Sequence, residues 1–253
     1  MSIYNITFSP TGGTKRVADI LANELSSEFF EIDTTDRTTD FSVYNFTKDD
    51  VCIISMPSYS GRVPKVAVER LLQMHGNGAS AVIVAVYGNR DYEDTLIELR
   101  DTAIQAGFTV VAGVAAIAEH SIIREFAANR PDKEDKTELQ SFMKTIVEKI
   151  RAGVVQQPAI PGKYPYKEGS ARPLIPYVTE NCTKCGMCSF ACPTGAITVE
   201  NTDTVDSSKC IFCMRCISLC PHEARKIDFD GYEALRERIR PICEVRKNNE
   251  LFI

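Results

Sequence analysis

The chain has 253 residues, 44% hydrophobic and 25% charged, ordinary values for a globular protein of one large or two smaller domains. Its net charge of −5 argues against a nucleic-acid partner. The N-terminus lacks a basic and then apolar leader, and no apolar run is long enough to span a bilayer, so the expectation is a cytoplasmic protein without membrane insertion.

Strand-like and helix-like stretches alternate over residues 1–151, the pattern of a parallel sheet with crossover helices. Ser2–Phe8 reads as a strand, and Thr14–Leu25 as a helix with Val17, Ile20, Leu21 and Leu25 on one face. Phe29–Ile32 is a short second strand. Val51–Ser55 and Ala79–Val86 are continuous apolar runs, as expected of strands buried on both faces. Phe108–Ala118 is the fifth strand. Helices are expected at Lys65–Leu72, Glu93–Gln105 and Lys133–Arg151. Residues 152–177 carry Pro158, Pro161, Pro165, Pro173 and Pro176 and read as a semi-rigid linker. A cysteine-rich module follows at 178–230. Residues 231–253 read as a polar tail with one helix, Tyr232–Arg240, stopped by Pro241.

Eight of the ten cysteines fall between 182 and 220, in two copies of one pattern. Cys182-Thr-Lys-Cys185-Gly-Met-Cys188-Ser-Phe-Ala-Cys192-Pro193 matches Cys210-Ile-Phe-Cys213-Met-Arg-Cys216-Ile-Ser-Leu-Cys220-Pro221. Three thiolates at spacings of three wrap one cubane, and the fourth cysteine of each run crosses to the other cluster. One 4Fe–4S cluster is therefore expected on Cys182, Cys185, Cys188 and Cys220, and a second on Cys210, Cys213, Cys216 and Cys192. Zinc takes ligands in two close pairs and has no use for a third cysteine at the same spacing. The module resembles the bacterial two-cluster ferredoxins, which implies two pseudo-symmetric halves of small α+β architecture. Cys52, in a buried-strand pattern, and Cys243 read as structural.

After the first strand comes Ser9-Pro10-Thr11-Gly12-Gly13-Thr14-Lys15 and then a helix. Hydroxyls and glycines at a strand-to-helix turn make an anion site. Two later loops, Pro57-Ser58-Tyr59-Ser60-Gly61-Arg62 and Tyr87-Gly88-Asn89-Arg90-Asp91-Tyr92, also follow strands, at the edge where open α/β sheets bind ligands. With these loops, residues 1–151 resemble the flavodoxin family. The resemblance implies a doubly wound parallel sheet of order 2-1-3-4-5 and FMN as cofactor. It assigns the phosphate to Ser9, Thr11, Gly12, Gly13 and Thr14, and encloses the flavin ring by the loops of Pro57, Ser58, Tyr59, Ser60 and Gly61 and of Tyr87 and Gly88. Asn89 would bond the ring's pyrimidine edge and Tyr92 would stack on it. No tryptophan stands before Gly61, so one flavin face is expected to be open, and Arg62 and Arg90 are unusual neighbours for a flavin.

The order of the two parts resembles fused flavodoxin–ferredoxin proteins of anaerobic prokaryotes. That implies an electron carrier between low-potential redox protein partners. The alternatives are a flavin-dependent reductase of a small substrate fed by its own clusters, and a redox sensor. A cluster must then meet the flavin either within one chain or across a head-to-tail homodimer.

Overall fold

A computed structural model of the protein describes residues 1–153, 156–169 and 174–253, so Pro173 of the linker lies outside the described residues. The first part supplies β1 (Ile3–Thr7), α1 (Gly13–Leu25), β2 (Phe30–Asp33), β3 (Val51–Pro57), α2 (Lys65–Leu71), β4 (Ser80–Tyr87), α3 (Thr95–Gln105), β5 (Thr109–Ile117) and α4 (Lys133–Arg151). The second supplies β6 (Tyr177–Val178), α5 (Met187–Phe190), α6 (Arg215–Ser218), β7 (Arg225–Lys226), α7 (Phe229–Cys243) and β8 (Glu250–Phe252).

Five parallel strands lie in the order β2-β1-β3-β4-β5, the flavodoxin-like arrangement. Strand alternation divides the apolar residues between two layers. Val82, Val84 and Val86 of β4 meet Val17 and Leu21 of α1 and Leu139, Met143 and Ile146 of α4. Ala81, Ile83 and Ala85 face the opposite way, onto Ala67 and Leu71 of α2 and Leu96 and Leu99 of α3. Parallel strands and right-handed crossovers bring the turns after β1, β3, β4 and β5 to one sheet edge.

The C-terminal residues depart from the expected polar tail. Strand β8 pairs antiparallel with β5, through Gly113–Phe252, Val114–Leu251 and Ala115–Glu250, and adds a sixth strand to the sheet. Helix α7 begins earlier than expected and runs through Pro241 to Cys243. Pro241 is exposed and lies in the last turn, where the single bond it removes costs least. The linker also packs. Ile160 is buried against the β5–α3 layer, and the Lys163 and Lys167 backbone N–H groups donate to the Asp94 carboxylate at 2.9 and 2.7 Å. Among the described residues, no helix is long and apolar enough to cross a membrane.

Candidate functional site

Helix α1 opens at Gly12, whose φ of 85° is left-handed and whose cap position offers no side chain to the first N–H groups. No acidic residue occupies the first turn. Ser9 serves the loop itself: its Oγ accepts from Lys15 N at 2.9 Å. Donors at an uncapped helix N-terminus, with the hydroxyls of Thr11 and Thr14 beside them, suit a phosphate.

From this turn a cavity of about 360 Å³ extends along the sheet edge. Pro10, Thr11, Gly13, Thr14, Pro57, Ser58, Tyr59, Ser60, Tyr87 and Gly88 line it. Ser60 and Gly61 hold φ of 58° and 80° in the tight turn after β3, and Gly61 lies outside the lining, beneath Glu93. A Cβ on Gly61 would come within 1.9 Å of a Glu93 oxygen, so only glycine fits. A Cβ on Gly88 would sit 2.6 Å from the His120 ring. The sequence reading missed His120, although the turn after β5 shares this edge and would have pointed to it.

Two expected flavin contacts are not at the cavity. Asn89 is buried, and its amide is engaged by the C-terminal segment. Its Nδ2 donates to the Cys243 and Val245 carbonyls at 2.7 and 2.8 Å, and its Oδ1 accepts from Lys247 N at 3.3 Å. Tyr92 turns to the other side of its loop. It packs edge-on to Tyr87 at 5.3 Å, and its hydroxyl donates to Glu250 of β8 at 3.3 Å. Strand β8 and the residues before it claim both side chains. Arg62 also points away, paired with Glu98 at 2.6 Å and lying over the Tyr166 ring. Arg90 lines the cavity, bonded to Glu93.

The expected open face is covered. Leu235, Arg238, Ile239 and Ile242 of α7 line the cavity, as do Ile211 and Phe212 from between Cys210 and Cys213. Two arginines tie the cysteine-rich module to the first part of the chain, one at the turn after β1 and one at the turn after β2. Arg215 of α6 donates through Nη1 to the Pro10 carbonyl at 3.0 Å. Arg70, itself buried, donates to the carbonyls of Thr34 and Pro193 at 2.6 Å each. Burial raises the Tyr59 phenol well above its ordinary value, the Cys213 thiol adding to this and Arg215 opposing it.

Within the module the two cysteine runs share one backbone course. Lys184 and Phe212 have φ of 56° and 55°, Gly186 and Met214 of 77° and 62°, and Gly195 and Glu223 of 65° and 49°. Each run enters a four-residue helix after its second cysteine. The fourth thiols accept alike: Ala196 N bonds Cys192 Sγ and Ala224 N bonds Cys220 Sγ, both at 3.3 Å. Cys182, Cys185, Cys188 and Cys220 line one small cavity. Cys192, Cys210 and Cys216 are close enough to Cys213 to raise its thiol electrostatically; burial is the larger cause and pushes Cys213 and Cys216 up to about 12. Thiols in that state need a cation to become ligands. Among the described residues, no three His, Cys, Asp or Glu side chains converge on a single ion.

Residues 181–224 match the family of 4Fe-4S dicluster domains. The chain is also similar to Ferredoxin-1 of Chlorobaculum tepidum, 37% identical over 54 residues, covering 19% of this chain and 87% of that protein. The chain belongs to the dicluster ferredoxin family through this module. A longer relative, the DNA-directed RNA polymerase subunit Rpo3 of Methanosarcina acetivorans, is 40% identical over 60 residues, 22% of this chain and 23% of that protein. The chain spans only 11 to 31% of the length of the curated relatives of which this is one. Beside the ferredoxin module stands a domain of flavodoxin-like fold, identified by its strand order. The solved Flavodoxin 1 of Bacillus cereus aligns with 58% of this chain and 98% of its own, at 19% identity and a TM-score of 0.43.

Proposed function

We propose that the chain is an electron-transfer protein carrying FMN in the cavity at the sheet edge and two 4Fe–4S clusters in the ferredoxin module. One observation carries this reading: Ile211 and Phe212, between two cysteines of the second set, line the same cavity as the phosphate turn. Cys182, Cys185, Cys188 and Cys220 hold the first cluster, and Cys192, Cys210, Cys213 and Cys216 the second. When bound, FMN exchanges one or two electrons and each cubane one, so a single chain can split or gather an electron pair. The thiolates fix the clusters, and the backbone N–H groups of Ala196 and Ala224 support the fourth thiolate of each run. Thr11, Thr14 and the α1 N-terminus hold the phosphate, while Tyr59 and Phe212 flank the ring and exclude water. Exposed Cys185 offers a contact for a redox protein partner, and buried Cys213 lies close enough to Tyr59 of the cavity to act on its phenol. The cover of α7 favours this wiring over reduction of a small substrate at an open flavin face.

Anaerobically prepared protein should contain about eight irons and eight acid-labile sulfides per chain. Heat should release FMN, identified by chromatography. Stoichiometric zinc without sulfide, or FAD in place of FMN, would overturn the assignment.

Flavin titration of the apoprotein separates the two tyrosines. Tyr59→Ala should weaken FMN binding by about 1 kcal/mol or more. Tyr92→Ala, on the far side of its loop, should leave binding unchanged. The opposite order would return the stacking role to Tyr92.

A further inference from the structure

Arg225 opens β7, outside the phosphate site and outside the cysteine repeats, and is only 3% exposed. Taking a guanidinium out of water is costly unless its donors and its charge are met. Here they are met in part. Nη2 donates to the Thr202 carbonyl and lies 3.5 Å from Cys188 Sγ. Nε and Nη1 are buried with no hydrogen-bond partner. The side chain lines the cavity that Cys182, Cys185, Cys188 and Cys220 also line. Arg225 also lines a second cavity, beside Met214 and Ile217, but the contact of Nη2 with Cys188 Sγ points to the cysteine-lined one for the missing acceptor and counter-charge.

The internal repeat sharpens the point. Arg225 is the fifth residue after Cys220, and its counterpart after Cys192 is Ile197. Ile197 is 1% exposed, so both positions are buried, yet one carries a cation and the other a hydrocarbon. Two centres enclosed by the same backbone course thus have different electrostatic surroundings. Hydrogen bonds to sulfur and local charge set the potential of such a centre.

We propose that Arg225 is a positioning residue for the first cluster, donating its unpartnered N–H groups to the sulfur of the anionic centre held by Cys182, Cys185, Cys188 and Cys220 and raising that centre's reduction potential above its neighbour's. This rests on the two-cluster reading above. Reduction adds one electron to a centre already anionic, and a buried cation favours that added charge. The second centre feels the Arg225 charge through Cys216 but has Ile197, with no donor, at the matching position, and accepts its electron at a lower potential.

Potentiometric titration with optical and EPR detection tests this on the full chain, with iron and sulfide measured in each sample. The parent should show two one-electron waves. Arg225→Ile, which copies the other half of the repeat, should lower the upper wave until the reduced-to-oxidised ratio at fixed potential falls about tenfold or more, equivalent to about 59 mV. The lower wave should move less than the upper one, because Arg225 reaches the second centre only through Cys216. Arg225→Lys should keep most of the parent potential. Unchanged waves in Arg225→Ile at full iron content would overturn the proposal. If Arg225→Ile loses iron, Arg225→Lys decides: full iron and the parent potential uphold the role of the charge, and loss of iron from both marks a packing role and overturns it. A parent chain short of about eight irons would instead overturn the two-cluster reading, and the proposal with it.

Discussion

Cys192→Ala should retain FMN yet slow reduction of the flavin by a low-potential protein donor by about tenfold or more. Cys192 belongs to the first cysteine run but stands among Cys210, Cys213 and Cys216, so its loss dismantles the cluster whose loop lines the flavin cavity. The flavin domain keeps its own two apolar layers and its phosphate turn, neither of which uses the Cys192 thiol. Dithionite, small enough to act without the clusters, should reduce the flavin of variant and parent alike. Anaerobic stopped-flow spectroscopy measures both rates. An unchanged rate with the protein donor, in a variant shown to have lost the cluster, would take that cluster off the path.

The second large effect is on stability. Arg130 is 4% exposed and Asp135 is fully buried; Nε donates to the carboxylate at 2.8 Å, and Nη2 donates to its other oxygen. Asn249, from the segment before β8, adds a bond to the same carboxylate at 3.0 Å, and Arg130 Nη1 donates to the Lys247 carbonyl at 2.9 Å. The pair thus joins the start of α4 to the segment that holds Asn89. Arg130→Ala leaves a buried carboxylate without its cation and should cost about 3–5 kcal/mol. Arg246→Ala removes a half-exposed contact to Asp132 at 2.7 Å and a longer one to Asp135 at 3.6 Å but leaves the Arg130 pair intact, and should cost about 1 kcal/mol. Burial alone would raise the Asp135 carboxyl, but the hydrogen bonds from Arg130, the Asp132 backbone and Asn249 hold it below the usual carboxylate range. A depressed carboxyl contributes stability above the unfolded value of about 3.9 and loses it as pH falls through the folded one. The gap between parent and Arg130→Ala should therefore narrow below about pH 4. Denaturant unfolding of the two proteins across pH measures this, and a gap under about 1 kcal/mol at neutral pH would show the pair to be incidental.

The sheet order and the cysteine-rich family were legible because their signals are local. Apolar runs such as Ala79–Val86 declare strands, and cysteines at spacings of three declare a cluster loop. Asn89 and Tyr92 misled because their fate depends on residues more than 150 positions later, in Cys243–Lys247 and Glu250. A three-residue strand such as β8 has too few positions to show a period, and its pairing with β5 is decided by tertiary contact. Pro241 gave a sound rule in the wrong place, since proline in a last turn removes one bond and need not end the helix. The cover of the cavity by α7 and Phe212 follows from packing between the two modules, for which the sequence carries no periodic signal. His120 could have been found by extending the sheet-edge rule to the turn after β5.

The central claim is that a cluster and the flavin meet within one chain. It is tested most directly by reducing the clusters rapidly and following electron equilibration with the flavin over a wide range of protein concentration, with the chain's oligomeric state checked at each. The proximity of Phe212 and the phosphate turn at one cavity predicts a first-order rate that does not change with dilution of the monomer. A rate that rises in proportion to protein concentration would mean that electrons pass between molecules, and would contradict the account.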